Sequence, residues 1–230
     1  MIVGNGLIAN KFKKEFAKTD NILLFASGVS NSLCNDKNEF EREKNKLLNN
    51  LNVFSKINSF IYFSTISIDD PSLNESLYVK HKLEMESLVL KHSRAKVFRL
   101  GQLASRSLGN NNNLLNFLNN SIKARKKIAL WDNAFRSILD IDDVVSIVTK
   151  ILAKPSINNN IINVSNPIFN SIREIVEVFE KINNMKLDYV CLKKGEEFYI
   201  NLKIMNSINK DCGILFNKSY LEKVIKKYYL

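Results

Sequence analysis

The sequence predicts an α/β protein built around a parallel β-sheet. Short apolar segments typical of buried strands alternate along most of the chain with longer segments whose apolar residues recur with helical spacing. The strand-like segments are almost continuously apolar, as in parallel strands that are covered on both faces. The chain also opens with a strand, a glycine turn and a helical pattern in direct succession. Together these observations favour repeated strand, helix, strand units.

The first half of the chain supplies most of the predicted sheet. Residues 1–3 form the first strand, and the lysine-rich segment after the glycine turn places Phe12 and Phe16 on one helical face. The elements that follow are a buried strand at 21–26, a ligand-facing loop at 27–31, a helix at 39–54, a strand at 60–63, a helix at 74–91 and a strand at 95–100. This alternation indicates parallel pairing, because a crossover between parallel strands is usually a helix.

The second half contains shorter elements. In order, we expect a polar loop or helix cap at 110–113, a helix at 114–124, strands at 127–131 and 138–141, a helix at 144–152, a linker around 155–160, a strand at 161–164 and a helix at 171–182. Asp142 and Asp143 are predicted to cap the helix at 144–152, since an aspartate side chain accepts the free amide hydrogens of a first turn. The remaining tail has a mixed pattern.

Length and composition bound the number of domains. The chain has 230 residues, of which 45% are hydrophobic and 25% charged, and both fractions are close to the averages of globular proteins. We expect one main domain over residues 1–154 and a small C-terminal region over residues 155–230. No apolar run approaches the roughly 18 residues that cross a bilayer, and the N-terminus lacks a signal-peptide pattern. We therefore expect a cytoplasmic protein without a membrane partner.

Charge and metal-ligating residues argue against several classes of function. A net charge of +11 is compatible with an anionic partner, but the lysines are spread over the whole chain, and no pattern of interleaved basic and aromatic residues accompanies them. We expect no nucleic-acid partner. Cys34, Cys191 and Cys212 are too scattered for a disulfide framework, and with only His81 and His92 as histidines we expect no metal.

Gly4, Gly6 and Ala9 form a Gly-x-Gly-x-x-Ala turn between the first strand and the first helix. Glycines in such a turn let the backbone approach a pyrophosphate that lies at the helix N-terminus. A tight turn with small residues for packing explains the same pattern equally well. The position directly after a first strand favours the dinucleotide.

Tyr78 and Lys82 are four residues apart, so on a helix they share one face. A lysine ammonium beside a phenol lowers the phenol pKa and makes it a general acid or base. The same spacing is common in solvated pairs on helix surfaces. Ser64 and Thr65, at the end of the preceding strand, favour catalysis, because a hydroxyl there can hydrogen-bond a substrate oxygen beside the tyrosine.

With these residues in this order, the chain resembles the extended short-chain dehydrogenase/reductases, the NAD-dependent epimerase/dehydratase family that modifies sugars attached to nucleotides. The matching residues are Gly4, Gly6, Ala9, Ala26, Ser27, Asn45, Ser64, Thr65, Tyr78, Lys82 and Glu86. Residues 97–100 resemble the family's strand before an Asn-x-Tyr-Gly loop, and residues 135–144 resemble its Arg-x-x-x-x-Val-x-Asp-Val stretch. The resemblance covers most of the chain.

The resemblance implies a cofactor, a substrate class and a role for each matching residue. The cofactor is NAD or NADP, and its expected contacts are Gly4, Gly6, Leu7, Ile8, Ala26, Ser27, Gly28, Ser64 and Lys82. Thr65, Tyr78 and Lys82 are the implied catalytic residues, and Lys82 is expected both to lower the tyrosine pKa and to grip the nicotinamide ribose. Arg136 corresponds to an arginine that contacts the diphosphate of a nucleotide-diphosphate sugar. Gln102 stands at a second substrate-binding position, where the family tends to have asparagine.

The chain departs from the family on the side that binds adenosine. Between Ala9 and the strand at 21–26 the family has two further strands and a helix, which this chain omits. The resemblance therefore implies a Rossmann-like dinucleotide-binding domain over residues 1–154, with a parallel sheet truncated by two strands on the adenosine side, and a small C-terminal substrate-binding region over residues 155–230. Lys11 and the loop at 27–31 are the residues that could compensate for the lost contacts.

The implied function is an NAD(P)-dependent reductase of a nucleotide-linked 4-keto sugar in cell-surface polysaccharide biosynthesis. Ile66 and Ser67 replace the Asp-Glu pair of the family's 4,6-dehydratases, so dehydration is not expected. A nucleotide-sugar 4-epimerase and a non-catalytic nucleotide-sensing relative remain alternatives, but the compact chain leaves little room for a sugar to rotate, which favours the reductase. The helices at 39–54 and 74–91 correspond to the family's dimer helices, so we expect a homodimer.

Overall fold

The computed structural model of this protein describes residues 1–16, 21–52, 59–105, 113–158 and 160–230. Its strands are β1 (Ile2–Val3), β2 (Ile22–Phe25), β3 (Ser59–Thr65), β4 (Ala95–Leu100), β5 (Gln102–Ala104), β6 (Ile128–Trp131), β7 (Phe135–Arg136), β8 (Ile138–Asp140), β9 (Ile161–Val164), β10 (Asn170–Ser171) and β11 (Tyr189–Leu192). Its helices are α1 (Leu7–Phe16), α2 (Lys37–Asn52), α3 (Leu77–Val89), α4 (Leu114–Lys123), α5 (Ile141–Leu152), α6 (Ile172–Asn183), α7 (Lys203–Ile208) and α8 (Tyr220–Tyr229).

Five strands form one parallel sheet in the order β1, β2, β3, β4, β9. The register places Leu24 beside Ile61 and Phe63 beside Phe98, so apolar side chains meet across the sheet. The predicted α/β fold with a parallel sheet is confirmed. Among the described residues, β1 is the last strand on its side, as predicted for a sheet shortened on the adenosine side.

Helices cover both faces of this sheet. Because side chains alternate along a strand, Phe60 and Tyr62 of β3 point to one face, and Ile61 and Phe63 point to the other. The first pair packs in a cluster with buried residues of α2 and α3. The second pair belongs to a larger cluster that includes residues of α1, α4, α5, α6 and α8. Burial on both faces explains why the strands read as continuous apolar runs.

The start of α5 differs from the prediction. The helix begins at Ile141, and its cap is Asp140, whose side chain accepts a hydrogen bond from the Asp142 amide at 2.9 Å. The predicted capping by Asp142 and Asp143 is therefore wrong. These two carboxylates instead lie in the first helical turn, where they meet α8: the Lys227 ammonium is 2.7 Å from Asp142, and the Tyr220 hydroxyl donates to Asp143 at 2.5 Å.

Parts of three predicted segments lie outside the described residues. They are residues 53–54 of the second helix, residues 110–112 of the polar loop and residue 159 of the linker. The described end of the polar loop, Asn113, caps α4 by accepting a hydrogen bond from the Asn116 amide. α3 begins at Leu77, somewhat later than predicted, because Pro71–Leu73 form a separate 3-10 turn.

The C-terminal part of the chain contributes to the main sheet as well as to the region beside it. β9 pairs with β4, with Val164 beside Leu100, so the region predicted to begin at residue 155 also supplies the fifth strand. The remaining strands form three pairs, β5 with β8, β7 with β10, and β6 with β11. Within the described part of the chain, no helix is long and apolar enough to span a membrane.

Candidate active site

A cavity of about 420 Å³ opens where the strands of the central sheet end. The carboxyl edge of a parallel sheet is the usual ligand site of open α/β folds. The cavity is lined by eleven of the residues named from the sequence, Gly6, Leu7, Ile8, Ala26, Gly28, Ser64, Thr65, Tyr78, Lys82, Gln102 and Arg136. Gly4 and Ser27 are not among its lining residues.

The two glycines of the N-terminal turn meet different surroundings. Gly4 has a φ of +128°, and a Cβ at this position would lie 2.3 Å from the carbonyl oxygen of Ala26. The turn therefore packs directly on the end of β2, which only glycine allows. A Cβ at Gly6 would meet nothing within 4 Å. Gly4 thus serves the packing of the turn, whereas Gly6 borders open space in the cavity.

Ser27 is directed away from the cavity, toward α2. Its hydroxyl accepts a hydrogen bond from the Lys46 ammonium at 3.0 Å, and its carbonyl oxygen accepts one from the Arg42 guanidinium at 3.3 Å. The sequence singled out Ser27 as a cofactor contact, but the structure brings only its neighbours Ala26 and Gly28 to the cavity wall.

Ser64 and Thr65 bring two hydroxyl groups to the cavity at the end of β3. Ser64 Oγ is buried and has no hydrogen-bond partner among the described residues. A buried hydroxyl without a partner is costly, so this atom is suited to bind a ligand. Thr65 Oγ1 accepts a hydrogen bond from the Ser67 amide at 3.1 Å and also hydrogen-bonds the Tyr78 phenol.

Tyr78 lies in the first turn of α3 and is only 5% exposed. Burial raises the pKa of its phenol well above the ordinary value, and the negative charge of Glu43 raises it further. The hydrogen bond with Thr65 opposes this rise. The expected lowering of the tyrosine pKa by Lys82 is therefore wrong for this structure, and Tyr78 is a neutral phenol at physiological pH.

The reason is that Lys82 is engaged by Glu43, a residue of α2 that the sequence analysis did not single out. The Lys82 ammonium lies 3.0 Å and 3.2 Å from the two carboxylate oxygens of Glu43 and 3.2 Å from the hydroxyl of Tyr62. Burial alone would raise the pKa of Glu43, but Lys82 and the hydrogen bonds from His81, Tyr62 and Val29 lower it to about 2. Glu43 is therefore a carboxylate.

The resemblance pointed to Asn45 as the polar residue on this helix, yet Asn45 is exposed. The buried residues of α2 are Glu43, Leu47 and Leu51, which recur at a spacing of four. An acidic residue in line with two apolar positions was the sequence signal for a buried carboxylate. The position of Glu43 on the apolar face of α2 could be read from the sequence, but its pairing with Lys82 could not.

Arg136 and Gln102 line the cavity from two other strands, β7 and β5. The Arg136 side chain is 25% exposed, and its guanidinium lies 3.7 Å from Asp70 and donates to the Phe135 carbonyl at 2.7 Å. Burial lowers the pKa of Arg136, and Asp70 opposes this change. Because the ion pair with Asp70 is long, the guanidinium retains hydrogen-bonding capacity for an anionic ligand.

Several lining residues come from segments that the sequence did not connect with the site. Phe198 enters the cavity wall from the C-terminal region and packs edge-on against Phe169, with ring centroids 5.3 Å apart. Asn113, the cap of α4, lines the cavity as well. No local pattern marks these residues as site residues, because only the fold brings them close to Tyr78.

The lining fits a nicotinamide dinucleotide. The open space at Gly6 adjoins the N-terminus of α1, which suits a pyrophosphate, and the unpartnered Ser64 hydroxyl lines the same cavity. The residues that would hold the dinucleotide are Gly6, Leu7, Ile8, Ala26, Gly28 and Ser64. The described residues include no cluster of three or more potential metal ligands.

Comparisons with known proteins agree with this description. The sequence profile of the NAD dependent epimerase/dehydratase family matches residues 10–165. No curated protein matches the sequence. The structure of RMD from Pseudomonas aeruginosa complexed with NADPH has a TM-score of 0.72 at 13% sequence identity, over 98% of this chain and 95% of that chain.

Two further solved structures are similar. A dTDP-4-dehydrorhamnose reductase from Clostridium acetobutylicum, an RfbD ortholog, has a TM-score of 0.72 at 13% identity, over 98% of this chain and 98% of that chain. UDP-glucuronic acid 4-epimerase from Bacillus cereus, in complex with UDP-glucuronic acid and NAD, has a TM-score of 0.70 at 16% identity, over 97% of this chain and 79% of that chain. At these identities the likeness shows the fold.

Proposed function

This chain belongs to the NAD dependent epimerase/dehydratase family, and we propose that it is an NAD(P)-dependent reductase of a nucleotide-linked 4-keto sugar. The observation that carries the proposal is the position of Tyr78, which is buried and lines the cavity together with the Thr65 hydroxyl. A neutral phenol beside a bound ketone is a proton donor, which is the role that reduction requires. The cofactor is NAD or NADP.

The reaction assigns a separate task to each group at the cavity. When bound, the nicotinamide supplies a hydride to the carbonyl carbon. Thr65 hydrogen-bonds the carbonyl oxygen, and Tyr78 transfers its phenolic proton to that oxygen as the alcohol forms. Ser64 and Lys82 line the same cavity, and the unpartnered Ser64 hydroxyl is the group available to the cofactor. Exclusion of water by the buried surroundings of Tyr78 strengthens these polar interactions.

Arg136 and Gln102 support a nucleotide-diphosphate sugar as the substrate. A guanidinium matches the paired oxygens of a diphosphate, and the net charge of +11 attracts an anionic ligand. The similar epimerase from Bacillus cereus was solved with UDP-glucuronic acid. We propose that Arg136 binds the diphosphate and that Gln102 contacts the sugar.

Epimerisation and dehydration receive less support. An epimerase must let the oxidised sugar rotate in the site before the hydride returns to the other face, and this compact chain of 230 residues leaves little room for that rotation. Dehydration needs a further acid and base, but Thr65 is followed by Ile66 and Ser67 in a 3-10 turn. The matched region also covers 95% of RMD, 98% of the dTDP-4-dehydrorhamnose reductase and 79% of the epimerase, in keeping with a compact substrate region.

The engagement of Lys82 by Glu43 favours one alternative from another class, a non-catalytic nucleotide-sensing relative. The N–H groups of Lys82 are all hydrogen-bonded inside the protein. A relative that does not catalyse a reaction would not need this ammonium for a cofactor. Against it stand Thr65 and Tyr78, which share a hydrogen bond at the cavity wall although the fold does not require that pair. We therefore retain the reductase.

The proposal extends to the protein's setting. We propose a cytoplasmic homodimer that makes an activated sugar for cell-surface polysaccharide biosynthesis. Leu77 and Leu83 on α3 are 45% and 44% exposed, which supports this helix as a dimer surface. Gel filtration with light scattering tests it: Leu83→Glu should dissociate the dimer, whereas Leu215→Glu, at an exposed leucine elsewhere, should not. A monomeric wild-type protein would refute the dimer.

The reductase is tested by a screen of 4-keto-sugar nucleotides, beginning with dTDP-4-dehydrorhamnose, with NADH and NADPH. The loss of absorbance at the nicotinamide band measures the NADH or NADPH oxidised, and this amount should equal the amount of sugar alcohol formed. An epimerase would instead interconvert two sugar nucleotides without net cofactor consumption. If titration calorimetry detects neither NAD(H) nor NADP(H) binding, the enzymatic proposal is wrong and the nucleotide-sensing relative is favoured.

A further inference from the structure

We propose that Glu43 is a positioning residue of this site, whose buried carboxylate fixes the Lys82 ammonium at the cavity wall and balances its charge. The inference rests on the proposed reductase function for its kinetic consequences. Its structural basis is independent of the substrate.

The burial of Glu43 is the first step. Its side chain is 0% exposed and that of Lys82 is 3% exposed, so neither charge is solvated by water. A buried charge is tolerated only when it is paired and hydrogen-bonded. The ion pair therefore exists because each residue requires the other. Glu43 is not a surface group that happens to lie near the site.

The hydrogen bonds define the orientation of the carboxylate. One oxygen accepts from the Tyr62 hydroxyl at 2.7 Å, and the other accepts from the Val29 amide at 2.6 Å. His81 Nε2 lies 3.0 Å from the second oxygen, and because a carboxylate only accepts, this nitrogen carries the hydrogen. Glu43 therefore has three hydrogen-bond partners, Tyr62, Val29 and His81, in addition to Lys82.

Lys82 in turn uses its three N–H groups inside this cluster. Both oxygens of Glu43 and the hydroxyl of Tyr62 lie within 3.2 Å of its nitrogen. The direction of the ammonium is therefore set by Glu43 and Tyr62. The resemblance implies that Lys82 contacts the nicotinamide ribose. For this contact, Lys82 would have to replace one of its hydrogen bonds to Glu43 or Tyr62 by one to the ribose.

The cluster also ties the loop after β2 to the catalytic helix. A Cβ at Gly28 would lie 2.7 Å from Lys82 Nζ and 2.8 Å from Glu43 Oε1. The backbone of Gly28 therefore lies directly on the ion pair, and the adjacent Val29 amide is bonded to it. Through this contact, Glu43 holds the cofactor side of the cavity and the tyrosine helix α3 in one arrangement.

The charge of Glu43 has a consequence that a purely structural role would lack. Without the carboxylate, burial lowers the pKa of Lys82 unopposed by the nearest anion, and any remaining positive charge acts on Tyr78 alone. Loss of a proton from either group then occurs at lower pH. The titratable and charged groups around the cluster are His81, Lys82 and Glu86 on α3, Arg42 on α2, Tyr62 on β3, Tyr78 and Cys34.

The test compares Glu43→Gln, which keeps the shape and removes the charge, with Glu41→Gln, an exposed glutamate of the same helix. With dTDP-4-dehydrorhamnose, or the best substrate of the screen, and NADPH, kcat of Glu43→Gln should fall about 100-fold, the cost of misplacing a reacting group by about 1 Å. KM for the sugar should change little, and the fall of kcat at alkaline pH should begin at lower pH. Glu41→Gln should match the wild type. A wild-type kcat and pH profile in Glu43→Gln would overturn the proposal.

A measurement on the wild-type protein covers the case in which Glu43→Gln does not fold. In protein with nitrogen-15 in its lysine side chains, a bound ammonium that exchanges slowly should be visible by NMR at neutral pH. Lysines in contact with water exchange too fast for detection. Absence of such a signal would refute the fixed ammonium. If the wild type turns over no 4-keto sugar, the reductase function fails, whereas the Glu43 proposal is still decided by this signal.

Discussion

The nitrogen of Lys82 lies 3.0 Å from a carboxylate oxygen of Glu43, and the two side chains are 3% and 0% exposed. The resemblance implies that the positive charge of Lys82 acts on Tyr78. In this structure that charge is balanced by the Glu43 carboxylate inside the protein. Breaking one partner of such a pair typically costs about 3 to 5 kcal/mol, because the other charge stays buried. Burial, and then the negative charge of Glu43, raise the pKa of Tyr78, so this chain differs from the simple case in which a lysine lowers the pKa of a tyrosine.

Replacement of the proton donor should abolish most of the activity. Tyr78→Phe removes the phenolic hydroxyl but keeps the ring in its buried position, so kcat should fall by about 100- to 10,000-fold while the fold is retained. The assay is NADPH oxidation with the best 4-keto-sugar nucleotide. Tyr199→Phe, at a tyrosine that is 86% exposed, is the matched control. Unchanged turnover in Tyr78→Phe would remove Tyr78 from the mechanism.

Glu43 should make the protein sensitive to acid. Its pKa is lowered in the folded state from 4.5 to about 2. Its stabilisation is therefore complete above about pH 5 and is lost as the pH falls toward about 2. At about 1.4 kcal/mol for each pKa unit, the loss is about 3 kcal/mol.

Urea unfolding at several pH values between about 6 and 3 measures this effect. The free energy of unfolding should decrease more steeply with acid in the wild type than in Glu43→Gln, which has no proton to gain at that position. Glu41→Gln should follow the wild-type curve. Parallel curves for the wild type and Glu43→Gln would show that Glu43 is not the acid-sensitive group.

Arg136 should govern substrate affinity. A charge-assisted hydrogen bond contributes about 1.5 to 3 kcal/mol, so Arg136→Ala should raise KM for the sugar nucleotide by about 10- to 100-fold. The dissociation constant of NADPH should stay within about threefold. Arg173→Ala, at a guanidinium that is 55% exposed and paired with Asp132, serves as the control. Equal losses for substrate and cofactor would argue against a diphosphate contact.

The two glycines of the N-terminal turn should respond differently to the same substitution. Gly4→Ala places a methyl group 2.3 Å from the Ala26 carbonyl at a positive φ, so it should lower Tm by several degrees or prevent folding. Gly6→Ala meets no atom within 4 Å, so Tm should be unchanged while cofactor affinity falls. Calorimetry gives both quantities. Equal Tm values for the two variants would contradict the assigned roles.

Local patterns in the sequence were sufficient for the class of fold and for several site residues. Apolar runs identified the strands β2 and β3, since burial on both faces leaves few polar positions in the middle of a strand, and β4 was recognised although it contains Lys96 and Arg99. The spacing of Tyr78 and Lys82, and the hydroxyls at the end of β3, identified side chains that now line one cavity. These features depend on neighbours within a few residues, which is the range over which helical and strand periodicity operate.

Only the tertiary structure decided what each side chain meets. Glu43 and Lys82 are 39 positions apart in the sequence, and their contact depends on how α2 and α3 pack on the sheet. That packing also turns Ser27 toward α2 and leaves Asn45 exposed, while the fold of the C-terminal region brings Phe198 into the cavity wall. The sequence thus determined which chemical groups are present near the ends of the strands. The protonation state of Tyr78 and the engagement of Lys82 depend on burial and on the distance between charges, which exist only in the folded chain.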